Sequence, residues 1–263
     1  MNKQWATTYF GAHLLCDGVD IIQRTIAAHG VWEPDVSHVI EKRLRHGDVF
    51  VDVGANIGYD SLLAASCVGP MGSVVAIEAA PATYDLLCNN IAANDYANIR
   101  PVWVAVADRF GEATLYEYGP TNTGATTTMA KRRMFRDGDP ERAFHGTPVG
   151  TATAAPLIEI LSPIERVRAR IIKIDVEGAE GPIVADILKH LDKYPENMEI
   201  LVEVDPELYD WDGLLGALVA NDFAAYQIKN DYTGYHQISD DVRLKILLDV
   251  PTEQVDLLLT RQM

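Results

Sequence analysis

Asp52-Val-Gly54-Ala-Asn56-Ile-Gly58 follows the apolar run Val49 to Val51 and precedes a helix-like stretch, Tyr59 to Cys67. Strand, tight glycine turn and helix together are the geometry of a nucleotide-type cofactor loop. Glycine belongs in such a turn because a Cβ would collide where the backbone closes on a ligand. Glu78 ends the next strand-like run, Ser73 to Ile77. From that position a carboxylate can accept both hydroxyl hydrogens of a ribose.

A dinucleotide loop favours G-x-G-x-x-G, whose third glycine lets the helix pack closely on the strand. Here the spacing is Gly54-x-x-x-Gly58, Asp52 stands ahead of it and nothing basic lies nearby. An acid at that strand end repels a diphosphate and suits a cation. S-adenosylmethionine (SAM) carries a sulfonium and an ammonium and has no phosphate, so the loop points to SAM. A nicotinamide-dependent oxidoreductase is the alternative enzyme. It is disfavoured by the missing glycine and by the lack of a Tyr-x-x-x-Lys spacing. A non-catalytic SAM-binding protein is a third reading.

These residues need a scaffold of alternating elements. Strands are expected at Val49 to Val53, Ser73 to Glu78, Val102 to Ala107, Glu112 to Tyr118, Ile171 to Asp175, Glu199 to Val204, Phe223 to Ile228 and Val255 to Thr260. Helices are expected at Val36 to Leu44, Tyr59 to Ser66, Pro81 to Ala93, Glu180 to Leu191 and Trp211 to Asn221. Continuous apolar strands alternating with helices predict an α/β fold with a doubly wound sheet buried on both faces. Residues 1–47 read as an N-terminal helical cap and 48–263 as the main domain. Gly119 to Ala155 breaks the rhythm, with Lys131, Arg132, Arg133, Arg136 and Arg142 among Met134, Phe135 and Phe144. Long insertions of this kind serve as lids or binding loops.

The chain has 263 residues, 48% of them apolar, which is enough for one large core. Thirty-eight acidic against 22 basic residues give a net charge of −16. That opposes a nucleic-acid or anionic-membrane partner, because phosphate contacts need a basic face. Cys16, Cys67 and Cys88 are scattered and show no metal-ligand spacing, which fits a reducing compartment. No signal-peptide pattern opens the chain and no run is long enough to span a bilayer, so a cytoplasmic protein is expected.

The sequence resembles the FkbM-type, SAM-dependent O-methyltransferases. Four stretches carry the resemblance: Asp48 to Gly58; Ala76-Ile-Glu78-Ala-Ala-Pro81 with Leu87-Cys-Asn-Asn-Ile91; Ile172-Lys-Ile-Asp175-Val-Glu177-Gly-Ala-Glu180; and Ile200-Leu-Val-Glu203-Val. Trp32-Glu33-Pro34 adds a weaker match. The resemblance implies a class I methyltransferase fold, Rossmann-like, with a seven-stranded sheet whose last strand is antiparallel. It also implies methyl transfer to a hydroxyl, often on a sugar or glycosylated natural product. The partners expected are a small hydroxyl-bearing acceptor and another copy of the chain as a homo-oligomer.

Ligands of open α/β sheets sit beyond the carboxyl ends of the strands. Asp52, Gly54, Asn56 and Gly58 are therefore expected along the methionine portion of SAM, with Glu78 and Ala79 at the ribose. Asp108 is expected at the adenine amine, with Val106 and Ala107 beside the ring, and Glu33 at the cofactor's cationic end. Asp175, with Glu177 two residues on, ends one strand, and Glu203 and Asp205 repeat the spacing on another. If those strands are neighbours, the acids converge and need a shared proton or a cation. Asp175, Glu203 and Asp205 are thus candidate ligands for Mg²⁺, which binds through a few carboxylates, water and substrate. Asp175 and Glu203 are also catalytic candidates. His145, in the expected lid, is a candidate base with a suitable pKa. Glu180 is read as a helix cap, and Lys173 as a partner for one of the acids.

Overall fold

The structure is a computed structural model in which residues 3–117, 126–128, 131–133, 143–229, 244–247 and 249–261 are described, with only the backbone for 131–133 and 143–145. The chain opens with an antiparallel hairpin, β1 (Lys3–Thr7) and β2 (His13–Asp17), then α1 (Ile21–His29) and α2 (Pro34–Arg43). Asp20 starts α1 by accepting the Gln23 amide, and Gly30 ends it in the left-handed region, where glycine is favoured. The segment expected to be a helical cap therefore carries a hairpin as well. Its Leu14 and Ile26 share one apolar cluster with Ile57, Leu62 and Leu86, so it is packed onto the helices that follow.

Next come β3 (Val49–Val53), α3 (Tyr59–Val68), β4 (Ser73–Glu78), α4 (Pro81–Ala92) and β5 (Ile99–Trp103). Short elements follow: β6 (Ala105–Val106), β7 (Gly111–Glu117), β8 (Lys131–Arg133), β9 (Ala143–His145), β10 (Thr147–Ala155), α5 (Leu157–Ile160) and α6 (Pro163–Arg168). The chain then continues through β11 (Ala169–Ile174), α7 (Glu180–Lys189), β12 (Glu199–Val204), α8 (Trp211–Ala220), β13 (Phe223–Ile228), β14 (Leu244–Ile246) and β15 (Val255–Arg261).

The main sheet has the order β14-β13-β15-β12-β11-β3-β4-β5. Strands β5, β4, β3, β11 and β12 are parallel neighbours, and β15 runs antiparallel to both β12 and β13. The last strand is antiparallel, as expected. The sheet has eight strands rather than seven because β14 pairs with the edge of β13. Helices cover both faces. Ile183, Val184, Trp211 and Leu214 pack on one face, and Val39, Ile40, Leu63 and Val68 on the other. From β3 the chain builds outward to β4 and β5, then returns to start β11 on the opposite side of β3. This reversal opens a crevice at the carboxyl ends of β3 and β11.

The run Val102 to Ala107 is not one strand. Residues through Trp103 pair with β4, which ends at Glu78; Val104 then donates to the Glu78 carbonyl, and Ala105-Val106 pairs with β10 in a second sheet, β6-β10-β7. Past the end of β4 the main sheet has no partner to offer, so the chain turns to another. The end of the expected insertion is also regular. Thr147 to Ala155 alternates in character and pairs along β7, burying Ala152 and Ala154. Residues 118–125, 129–130 and 134–142 of that insertion lie outside the described residues, as do Tyr232, Tyr235 and His236.

Candidate active site

A cavity of about 590 Å³ lies at the carboxyl edge of the sheet. The glycine turn forms its floor. The amides of Gly54 and Ala55 both donate to the Ile77 carbonyl at 2.9 Å, which ties β3 to β4. Gly54 has φ +86°, and a Cβ there would stand 1.8 Å from the Asp175 carbonyl oxygen. Gly58 has φ +95°, and its Cβ would stand 2.7 Å from Leu87 Cδ1. The crowding that requires glycine therefore comes from the protein's own β11 end and α4. Gly54 also lines the cavity, whereas Gly58 caps α3 behind it.

Glu78 lines the cavity and organises the turn. Its Oε2 accepts the Asn56 amide at 2.9 Å, and its Oε1 accepts the Ala80 amide at 2.8 Å. A carboxylate has about four lone-pair directions, so capacity remains for a ligand hydroxyl. Burial raises the Glu78 pKa, and the Ala80, Asn56 and Ala79 amides pull it back. Asn56 sits at φ +49° and lines the cavity; its buried Oδ1 has no partner among the described residues. Ala79 and Thr83 continue the same wall, with Val104, Ala105, Val106 and Leu115 as an apolar face. Asp108 falls in an exposed bend and is not among the residues that line the cavity.

Asp52 is likewise absent from the cavity wall. It is fully buried, accepts a 2.5 Å bond from Ser61 Oγ, and leaves Oδ1 without a hydrogen bond. Burial pushes its carboxyl up to about 7, against the opposing pull of Lys173. The reason is position along the strand: Asp52 lies inside β3, bonded to Ser61 of α3, while the cavity begins farther along, at the strand end. Lys173 is its register partner on β11 and lies 3.0 Å from Asp175 and 3.3 Å from Asp60. Burial alone would lower the lysine's pKa; the surrounding carboxylates hold it well above its usual value.

Acids converge on the second half of the cavity. Ligand oxygens of Asp175, Glu177 and Glu203 all lie within 4.8 Å of one another. Asp205 does not belong to this group. Its Oδ1 accepts the Glu207 amide and its carbonyl accepts the Trp211 indole N–H, because the chain leaves the strand after Val204 to start α8. Burial raises the Glu203 carboxyl well above the ordinary range, reinforced by Asp175, Glu177 and Asp256. Glu33, buried at φ +41°, also lines the cavity and is raised by burial and by Asp256 and Asp175. Glu33, Asn56 and Glu177 are three of the four non-glycine residues with positive φ among those described. Such strain collects where surrounding structure imposes a functional geometry.

Glu180 accepts the Val176 and Gly178 amides, so it caps the turn after β11. Thr127 is buried and donates to the Glu177 carbonyl at 2.6 Å, and Thr126 and Thr128 line the cavity beside it. The backbone of His145 pairs with Lys131 in a short hairpin, and its side chain lies outside the described residues. Sequence reasoning missed Asp256, Gln227, Lys229 and Glu253, which complete the lining. Asp256 could have been found: an acid near the start of an antiparallel strand falls at the carboxyl edge of its parallel neighbours. There it stands opposite Glu203 in the ladder.

The description "Methyltransferase FkbM domain" matches residues 52–227, about two thirds of the chain. The chain belongs to the FkbM methyltransferase family. It is a SAM-dependent methyltransferase with the Rossmann-like class I fold. Methyltransferase sdnD of Sordaria araneosa is 27% identical over 184 residues, covering 62% of this chain and 67% of that protein. Among solved structures, the FkbM methyltransferase of Methylobacillus flagellatus aligns at 12% identity and TM-score 0.49, over 86% of this chain and 50% of that one. A SAM-dependent O-methyltransferase of Thermotoga maritima aligns at 12% identity and TM-score 0.47, over 99% and 78%. Among the described residues no helix is long and apolar enough to cross a membrane.

Proposed function

We propose that this methyltransferase moves a methyl group to a hydroxyl oxygen of a small, hydroxyl-rich acceptor, a sugar or glycoside. The observation that carries the reading is the charge of the cavity wall. Glu33, Glu78, Asp175, Glu177, Glu203, Glu253 and Asp256 line it, with Lys229 as the one cation among the described lining residues. Such a wall repels phosphates and carboxylates and accepts hydrogen bonds from hydroxyls. Gln227 and Gln254 extend that polar surface.

The residues fit the cofactor. Bound SAM supplies a methyl group made electrophilic by its positively charged sulfur. Glu78 would accept a hydrogen bond from the ribose, and Val104 to Val106 with Leu115 would provide an apolar face for the adenine. Asn56 Oδ1, Glu33 and Asp175 would hold the cationic groups. The chain's main task is alignment of the acceptor oxygen with the methyl carbon. Its second task is removal of the hydroxyl proton, and we assign that to Glu203. A carboxylate moved up toward the working pH is the better base, provided it is unprotonated when it acts. His145 is the competing base, and His145→Ala with undiminished turnover would remove it.

A second reading has its own observation. The Asp175, Glu177 and Glu203 oxygens are close enough to share one cation. Mg²⁺ held there, in place of the expected set with Asp205, would lower the pKa of a coordinated hydroxyl. Methyl transfer from labelled SAM to a panel of sugars and glycosides, with and without EDTA, tests both readings. Transfer to hydroxylated acceptors that survives chelation supports the carboxylate base. Loss with EDTA and recovery with Mg²⁺ supports the metal, and no transfer to any hydroxyl ends the proposal.

A further inference from the structure

We propose that Lys173 is a positioning residue, which holds the Asp175 carboxylate on the cavity wall from a second anchor on α3, Asp60. The inference rests on the reading above, in which Asp175 works in the transfer. Lys173 and Asp175 lie two residues apart at the end of β11, so an extended chain puts both side chains on one side. The ammonium is almost fully buried and reaches Asp175 Oδ2 at 3.0 Å and Asp60 Oδ2 at 3.3 Å. Asp60 and Asp52 lie behind the wall, whereas Asp175 lines it with its side chain about a third exposed. The lysine thus joins two buried acids to one that faces the ligand space.

Charge balance explains why the link matters. Asp175 also lies close to Glu177 and Glu203. Without a fixed cation on the other side, repulsion turns the Asp175 carboxylate away or leaves it sharing a proton with a neighbour. The charged groups facing this lysine and carboxylate are Asp52 from β3, Asp60 from α3, Glu33 ahead of α2, Glu78 from β4, Glu177 after β11, Glu180 from α7, Glu203 from β12 and Asp256 from β15. All are acids, so Lys173 alone orients the field within this group.

The test compares Lys173→Met/Asp60→Asn, which removes the cation and its anchor together and leaves no orphaned charge on α3, with Asp60→Asn alone and with Asp175→Asn. Folding is checked by thermal melting, SAM affinity by calorimetry and turnover across a pH series. For the double variant the expected result is a fall in kcat of roughly 10- to 100-fold, the scale of a misplaced reacting group. SAM affinity should change less, and the acidic limb of the rate profile should move to higher pH. A folded double variant with wild-type kcat and an unmoved acidic limb overturns the proposal. If the double variant does not fold, Asp60→Asn is read instead: a severalfold loss of kcat supports the anchor, and wild-type kcat overturns it. Full turnover in Asp175→Asn would instead sink the functional reading itself.

Discussion

Gly54→Ala isolates what the glycine turn does. The new Cβ would stand 1.8 Å from the Asp175 carbonyl oxygen, so that backbone must retreat by roughly 1.6 Å to reach ordinary contact at 3.4 Å. Backbone cannot rotate aside as a side chain can. A left-handed conformation costs an L-residue about 1–2 kcal/mol, and overpacking a tight site adds about 1–3 kcal/mol. The combined loss is about 2–5 kcal/mol, which at about 2–4 °C per kcal/mol lowers Tm by roughly 4–20 °C. Gly58→Ala is the matched control. Its φ is similarly positive, but its obstacle is Leu87 Cδ1, the movable end of a side chain. It should cost little beyond the backbone strain, about 1–2 kcal/mol or roughly 2–8 °C. Scanning calorimetry of both variants gives the ranking, and methyl-transfer assays add a second readout. Displacing the β11 end by about 1 Å should cut turnover roughly 100-fold in Gly54→Ala. Equal melting temperatures, or a Gly54→Ala protein with full turnover, would refute the reasoning.

Asp52 gives a pH signature in stability. Its folded pKa is raised from 3.8 to about 7, so between those values the folded state holds more protons than the unfolded one. Stability contributed by this group is therefore lost as pH rises through that window, and denaturant titrations of Asp52→Asn should show a flatter pH slope than wild type. An unchanged slope would mean that Asp52 is not the group responsible. Glu203→Gln should lower kcat by roughly 100- to 10,000-fold with SAM affinity kept. In wild type, kcat/KM should rise with pH through the raised Glu203 value, because the base must be unprotonated; wild-type kcat in the variant would exclude it. Thr127→Val removes the 2.6 Å bond to the part-buried Glu177 carbonyl. It should cost about 1–3 kcal/mol in denaturant titration and lower turnover, and an unchanged kcat would mean that this contact does not position Glu177.

Most of the scaffold was legible because buried parallel strands write themselves as continuous apolar runs. Val49 to Val53, Ser73 to Glu78 and Glu199 to Val204 appear at their expected bounds. Glu78, Gly54 and Asn56 line the cavity because they stand where such runs stop. Four features were not legible. Asp52 and Asp175 look alike on paper, each an acid at a strand end. Their difference is depth on one face: Asp52 lies inside its strand, bonded to α3, whereas Asp175 stands just past the end of its own, at the cavity. The break at Val104 depends on where β4 ends, a fact held by a different stretch of chain. Asp256 reaches the cavity only because β15 runs against its neighbours, so the start of that strand shares an edge with the ends of the others. Asp205 fails to follow Glu203 into the acidic group because the helix start claims its oxygens.

Calorimetric titration of SAM into wild type, Glu78→Ala and Asp108→Ala tests the cofactor site most directly. Wild type should bind. Loss of charged hydrogen bonds worth about 1.5–3 kcal/mol should weaken Glu78→Ala by roughly 10- to 100-fold, while Asp108→Ala, altered in an exposed bend, should match wild type. Undiminished binding by Glu78→Ala, or no heat from wild type at all, would contradict the placement of the cofactor at this edge of the sheet.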